Sequence, residues 1–402
     1  GLIMNSTGLL GVNANTVNRL LSTVALVALV GCATAGPGSR PVVGDLVGPR
    51  AEFEGPPIRP TAAGHYLAGH LAQGAGDWSS AAAFMNTALD KDPSNNQLLR
   101  RAFLLSAGSG AFDAALNQAN QIAALEQPLD LALVMLLADA ARQEDTEAAA
   151  ALFDRISDDG LQRVLKPGVQ AWVLAAQGER DQALSELEGF RQFGGFEALI
   201  ALHRAFILEY IGDVETAEVE YQQAVELSPT LRAGQAYGGF LARQGRVAEA
   251  IDVYDDYFAR DGSSLLAAGV RRLKAMGTPP PGIDSFGDGI GSILFDFASV
   301  LQGDLGIELT MVLVQIATYA SPDFPLAQLL LADLLAERDQ FEEAAAAYLA
   351  IADDSDIALA RTIRLSRKYD EADDVDRAIS LLRGASREYP QEYALHSQLG
   401  DL

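Results

Sequence analysis

The residues of this 402-residue chain that could do chemistry are four histidines, one cysteine and a surplus of carboxylates. His65 and His70 stand five apart, whereas a zinc-protease helix needs its histidines four apart with a glutamate between them. They read as part of a solvated helix face, with His203 and His396 isolated elsewhere in the chain. Gly287-Asp288-Gly289-Ile290-Gly291 has the look of a phosphate-cradling loop but lacks both the preceding strand and the P-loop lysine. It reads as a linker and helix start. Carboxylate pairs such as Asp255-Asp256 and Glu342-Glu343 do acid–base work only where their surroundings split their pKa values. No Gly-x-Ser-x-Gly pattern anchors a nucleophile. A single cysteine excludes an intramolecular disulfide, a cysteine-rich zinc site and an iron–sulfur cluster. The expectation is a non-enzymatic protein with no catalytic residues, no cofactor and no metal.

Binding is left as the function, and composition limits the partner. With 29 Lys+Arg against 54 Asp+Glu the formal net charge is −25, the wrong sign for displacing counterions from nucleic-acid phosphates. At 49% hydrophobic and 21% charged residues the chain has the apolar content to bury a sizeable core. Partners with basic patches are favoured, through a long-range attraction that salt weakens.

The first 60 residues differ from the rest. Leu20 to Val30 is almost purely apolar, and eleven helical residues rise only about 16 Å, short of the roughly 30 Å needed to span a bilayer. That is the length of a signal-peptide core. It runs into Leu29-Val30-Gly31-Cys32, which resembles the lipobox of bacterial lipoproteins; a buried thiol after an ordinary apolar run is the alternative. The resemblance implies cleavage before Cys32, lipidation of its sulfur and stable membrane anchoring. In Gram-negative lipoproteins a residue other than Asp after the cysteine, here Ala33, implies the outer membrane, facing the periplasm. From Ala33 to Pro60 a high density of proline and glycine predicts an extended tether.

From about residue 62 the sequence repeats itself. Ala81, Ala115, Ala149, Ala183 and Ala217 are each 34 residues apart, Ala250 follows after 33, and the register returns at Thr310, Ala344 and Ala378. A 34-residue period of paired helices resembles the tetratricopeptide repeat. In that family the alanine lies early in the second helix, where the two helices of a pair come closest. The family's small residue of the first helix falls on Gly69, Ala171, Ala205, Gly238, Ala298 and Ala332, and its bulky residue four after the marker on Met85, Phe153, Leu187, Tyr221, Tyr254, Tyr348 and Leu382. Turns such as Gly110-Ala111-Phe112-Asp113 and Gly212-Asp213-Val214-Glu215 place glycine where a left-handed residue ends the first helix. Two repeats depart from the pattern, with Phe103 and Leu137 in the small position.

The resemblance implies an all-α fold, a tetratricopeptide-type α-solenoid of stacked antiparallel helix pairs in a right-handed superhelix. The expected organisation is a lipoprotein signal peptide at 1–31, lipidated Cys32 and tether at 32–61, a first solenoid block at 62–276, a break at 277–288 and a second block at 289–402. The break rests on Pro279-Pro280-Pro281, through which no helix runs. Leu399-Gly400-Asp401-Leu402 matches the opening of another first helix, so the sequence reads as a piece of a longer protein. The overall pattern, including Phe295-Asp296-Phe297-Ala298, resembles large repeat lipoproteins of alphaproteobacteria.

By the same resemblance the first helices line a concave groove that binds proteins or peptides. Mapped through the alanine register, its residues are Tyr66, His70, Gln97, Arg100, Trp172, Phe206, Glu209, Arg232, Gln235, Phe295, Asp333 and Arg367. Tyrosine, tryptophan and arginine are the types enriched in interface hot spots, although Trp172 and Phe206 could equally be wedged between repeats as core. The implied function is a lipid-anchored periplasmic scaffold in envelope assembly or maintenance. The alternatives are the repeat arm of an export assembly, or a small-ligand receptor with the irregular 262–290 region as a lid.

Overall fold

The computed structural model describes residues 61–261 and 265–402; the expected signal segment, Cys32 and the tether as far as residue 60 lie outside the described residues. Among the described residues there are 20 α-helices, one 3-10 helix and no strand. The first twelve helices form six pairs: α1 (Ala62–Gly74) with α2 (Trp78–Lys91), α3 (Asn96–Gly108) with α4 (Phe112–Ala123), α5 (Asp130–Arg142) with α6 (Thr146–Phe153), α7 (Gly160–Ala176) with α8 (Arg180–Leu187), α9 (Glu197–Tyr210) with α10 (Val214–Leu227), and α11 (Leu231–Arg243) with α12 (Val247–Asp261). α13 (Ala267–Met276) stands alone before the proline segment. Three further pairs follow: α14 (Phe286–Leu305) with α15 (Ile307–Ala320), α16 (Pro325–Ala336) with α17 (Phe341–Ala350), and α18 (Ala358–Glu371) with α19 (Val375–Glu388), and then α20 (Tyr393–Asp401). No described helix is long and apolar enough to cross a membrane.

The pairs are built by one local rule. Five residues before the marker, the chain turns through positive φ at Gly76, Gly110, Gly178, Gly212 and Gly245, where φ lies between 76° and 85°. Glycine adopts this without the Cβ clash that other L-residues meet. One residue later an aspartate often starts the second helix: Asp77, Asp145, Asp213 and Asp374 accept from the amides of Ser80, Ala148, Thr216 and Arg377. That bond satisfies one of the donors a helix start leaves free. All nine markers, Thr310 included, are then completely buried against the first helix. The two chains come so close that a Cβ on Gly69 would stand 3.2 Å from Met85 Cε, and one on Gly238 would stand 2.1 Å from the Tyr254 ring. In the departing repeat with Phe103, the position four after the marker is Ala119, so large and small have changed sides and both are buried.

The two blocks do not run on as one smooth superhelix. After α13 the chain turns back, and the α14–α15 hairpin lies along the inner side of the first block, α14 against α5, α7 and α9 and α15 against α3 and α5. Further contacts reach the first repeat: Gln73 donates to Glu308 (3.0 Å), and the Arg338 guanidinium sits 5.2 Å from the Trp78 ring centroid. One continuous apolar core therefore runs from α2 to α18.

Candidate functional site

The inner face of the first block is where the sequence places a partner-binding groove, and the chain itself fills it. Trp172 and Phe295 are fully buried, Phe206 is 3% exposed and Arg232 5%. These four residues meet in one cluster, but they offer no free surface, which corrects the expectation of an open groove there. The reason lies in α14. Its run Phe286, Ile290, Ile293, Leu294, Phe297 is wholly buried, and burying such side chains is worth about 1.5–3 kcal/mol each. The glycines once readable as a phosphate loop serve this contact. Gly289 lies flat on Trp172, so that an added Cβ would come within 2.2 Å of the indole, and a Cβ on Gly287 would stand 3.2 Å from the Arg142 backbone. Ser285 and Asp288 form a reciprocal capping box at the start of α14, and Glu144 accepts from the Phe286 amide (3.0 Å).

A charge is buried at the centre of this contact. Asp296 of α14 is fully buried, between Phe295 and Phe297. Arg232 Nε donates to its Oδ1 (3.1 Å), Arg232 Nη2 donates to Ser292 Oγ (2.5 Å), and His203 Nε2 stands 3.1 Å from Oδ2. Trp172 Nε1 donates to His203 Nδ1 (3.1 Å). The indole N–H can only donate, so Nδ1 accepts and the imidazole hydrogen is on Nε2, pointing at Asp296. His203 is thus neutral, and a second proton on Nδ1 would face the indole N–H. Burial lowers its pKa, and the hydrogen bond and charge of Asp296 only partly offset that. Burial pushes the Asp296 carboxyl up, but the Arg232 charge and the His203 hydrogen bond outweigh it and hold the carboxyl below its usual range. The Arg232 guanidinium also lies 4.8 Å from the ring centroids of both Phe206 and Phe324. Every strong donor and acceptor here has a partner within the cluster, and the arrangement clamps α14 to α7, α9 and α11.

The other groove residues are not brought together with this cluster. Tyr66 is 45% exposed and stacks on His70 at the outer start of the solenoid. Gln97 and Arg367 are exposed, and Arg100 donates to the Gln127 carbonyl. Glu209 accepts from the Tyr221 hydroxyl (2.6 Å) and pairs with Arg243 through both oxygens (2.7 and 2.9 Å). Gln235 lies half-buried on α11, and Asp333 is engaged by Tyr348 and Arg364. Burial raises the Asp333 carboxyl even against the Arg364 charge. The residues that sequence reasoning passes over are His203, Ser292 and Asp296. A signal for Asp296 exists: it is a lone charge inside an apolar run, which in a folded chain requires a buried counter-charge. Among the described residues no group of three or more His, Cys, Asp or Glu is placed to hold a metal ion.

The tetratricopeptide repeat family model matches residues 204–264 and 313–357. No curated protein matches the chain. Among solved structures, the Naa15/Naa10 complex bound to HypK-THB is 13% identical with a TM-score of 0.31, over 80% of this chain and 57% of that one. This chain therefore spans less than two thirds of that relative. A thermophilic TPR protein of Thermus thermophilus is 21% identical over 54% of this chain and 98% of its own, with a TM-score of 0.25. The Pseudomonas aeruginosa protein pilF is 17% identical over 61% of this chain and 100% of its own, also with a TM-score of 0.25.

Proposed function

We propose that this chain, whose helical repeats are of the tetratricopeptide type, is a non-enzymatic scaffold that holds protein partners at a membrane. In this reading Cys32 carries the lipid, and the protein is an outer-membrane lipoprotein facing the periplasm. The observation that carries the reading is the stack of repeat pairs itself, an architecture that presents extended surfaces for binding other proteins. The anchor rests on the Leu20–Val30 apolar run and the Leu29-Val30-Gly31-Cys32 pattern. Since Trp172, Phe206, Arg232 and Phe295 are committed to the chain's own α14–α15 hairpin, partners meet the outward surfaces, which include Tyr66, His70, Gln97 and Arg367. Their clients are envelope proteins with basic patches, such as peptidoglycan-remodelling enzymes, outer-membrane assembly components or export machinery, drawn by the net charge of −25.

In-cell crosslinking of the tagged full-length protein, then detergent extraction and mass spectrometry, tests this. A small reproducible set of envelope proteins is expected, with Cys32→Ser releasing the chain from the membrane fraction. A preparation holding only the chain itself overturns the scaffold, and unchanged membrane attachment of Cys32→Ser overturns the anchor.

A further inference from the structure

Among the described residues, the repeat register breaks after α13, where no second helix follows the first. α13 ends, as first helices do, at a left-handed glycine: Gly277, with φ of 62°, caps it directly, whereas Gly76, Gly212 and Gly245 each lie one residue beyond the cap of theirs. In the regular pairs a second helix begins two residues later. Here Thr278-Pro279-Pro280-Pro281-Gly282 follows instead, and these residues form no helix. Seven residues before the turn lies the position that faces the second helix, as Gly69 faces Met85 and Gly238 faces Tyr254. Seven before Gly277 is Val270. Val270 faces no helix of its own pair; it lines a cleft of about 490 Å3.

The walls of the cleft are what a second helix would touch. Ala267, Val270 and Lys274 lie one helical turn apart along α13, and Tyr254 and Phe258 line the cleft from α12, the second helix of the preceding pair. The floor is fixed. Gly269 lets α13 approach so closely that a Cβ there would stand 2.9 Å from both Tyr254 and Asp356; the Tyr254 hydroxyl donates to Asp356 (3.0 Å), and Arg272 pairs with it (2.6 Å). The rim is apolar: Phe258 is 51% exposed and, just beyond the cleft on α13, Met276 is 64% exposed. Of the charges on the cleft, Arg271 pairs with Glu388 (2.6 Å) over the Tyr389 ring. That places Lys274 on one wall and Asp255 on the other.

We propose that this cleft is the seat of a surrogate second helix donated by a partner protein. The occupant is an amphipathic helix whose apolar stripe packs on Val270 and Phe258, with an acidic residue toward Lys274 and a basic one toward Asp255. This is helix-in-groove recognition, with the groove defined by a repeat that lacks half of its pair. The inference rests on the scaffold reading and names where the client docks.

The probe is a hydrocarbon-stapled, fluorescein-labelled peptide copying Val375–Glu388, one of the protein's own second helices, in which Ala378 and Leu382 are buried. The staple is needed because a free helix of this length is marginal in water. With the full chain, fluorescence anisotropy is expected to show saturable binding that weakens about tenfold or more in Val270→Glu and in Phe258→Asp, as hot-spot loss does. A peptide carrying Leu382→Glu is expected not to bind. Phe258 is half exposed, so its variant keeps the fold even if Val270→Glu does not, and circular dichroism checks both. Absence of saturable binding, or unchanged affinity in folded Phe258→Asp, overturns the seat. Crosslinking separates this from the broader reading: clients recovered equally by wild type and Phe258→Asp overturn the seat and leave the scaffold standing. No clients with wild type overturns the scaffold, while the peptide result still judges the seat.

Discussion

Along the inner face of α3 to α9 the aromatic side chains are packed by α14 and α15, and even the carboxylate carried into that contact, Asp296, is held by Arg232 and His203. Beside α13 the repeat register is the same, yet Val270 and Phe258 border an open cleft. The difference is where the chain spends its helices. The hairpin that could have continued the stack folds back to fill the first block, and among the described residues α13 packs on α12 and α18 without a second helix of its own pair. A filled repeat surface therefore owes its charges complete satisfaction, whereas an unfilled one can leave apolar side chains and rim charges to solvent.

The largest expected contrast follows from that. Asp296→Ala leaves Arg232 buried and unpaired, which costs about 3–5 kcal/mol, while Phe258→Asp at the cleft should change stability by about 0.5 kcal/mol or less. Urea unfolding of both variants measures this. Because a buried ion pair replaced whole by apolar groups can be neutral, Arg232→Met with Asp296→Leu should recover part of the loss, the remainder being the His203 Nε2–H left buried without its acceptor. If Asp296→Ala unfolds no earlier than Phe258→Asp, the inner-face network does not clamp α14.

Within α14 the comparison narrows to two glycines. Gly289→Ala drives a Cβ into the Trp172 ring at 2.2 Å and should cost about 1–3 kcal/mol. Gly303→Ala meets nothing within 4 Å and should stabilise the same helix by roughly 0.5–1 kcal/mol. Thermal unfolding of the two side by side reads opposite shifts if α14 is docked on Trp172, and equal shifts if it is not.

The two regions also answer pH in opposite directions. Folded His203 has a pKa below its ordinary 6.5, so as pH falls the unfolded chain takes up that proton first. Stability from the inner face is complete above about 6.5 and is lost as pH drops below it. Asp356, under the cleft, has its carboxyl raised above 3.8 by burial, in spite of Arg272. Its contribution is complete below that value and declines as pH rises through the folded pKa. His203→Gln should flatten the stability profile just below pH 6.5, and Asp356→Asn should flatten it above pH 3.8. The reverse assignment of the two slopes would contradict the burial of one or both groups.

The repeat units were legible in the sequence because their rule is local. A turn residue, an N-cap and a small marker recur at fixed offsets, and all nine marker positions prove to be buried. The Phe103 departure was legible as a departure, but its compensation by Ala119 depends on a neighbouring helix. What the sequence did not disclose is the return of α14 and α15 into the first block. Sequence period fixes which face of a first helix points inward, and Trp172, Phe206 and Arg232 do point inward. Nothing in a 34-residue period says what the inward face meets, because that is decided by contacts between residues 60 or more apart, such as Arg232 with Ser292 and Asp296. The glycines of α14 and the lone Asp296 carried the information, in a form that becomes readable only once their partners are known.

The smallest effect tests the local rule by itself. At three turns the left-handed residue is not glycine: Glu144, Asp339 and Asp373, with φ of 57°, 60° and 62°. Relief of that conformation, less the extra freedom glycine has in the unfolded chain, should make Asp339→Gly and Asp373→Gly more stable by about 0.5 kcal/mol each. Glu144 faces the same backbone cost but spends its side chain on the Phe286 amide at the start of α14. A bond from a carboxylate to a helix N-terminus is worth about 1 kcal/mol, so Glu144→Gly should be neutral or destabilising. The three substitutions are alike in register and differ only in whether the turn touches the returning hairpin. A gain at Glu144 equal to the other two would mean that α14 does not draw on that carboxylate, and the contact between the blocks would begin further along the helix.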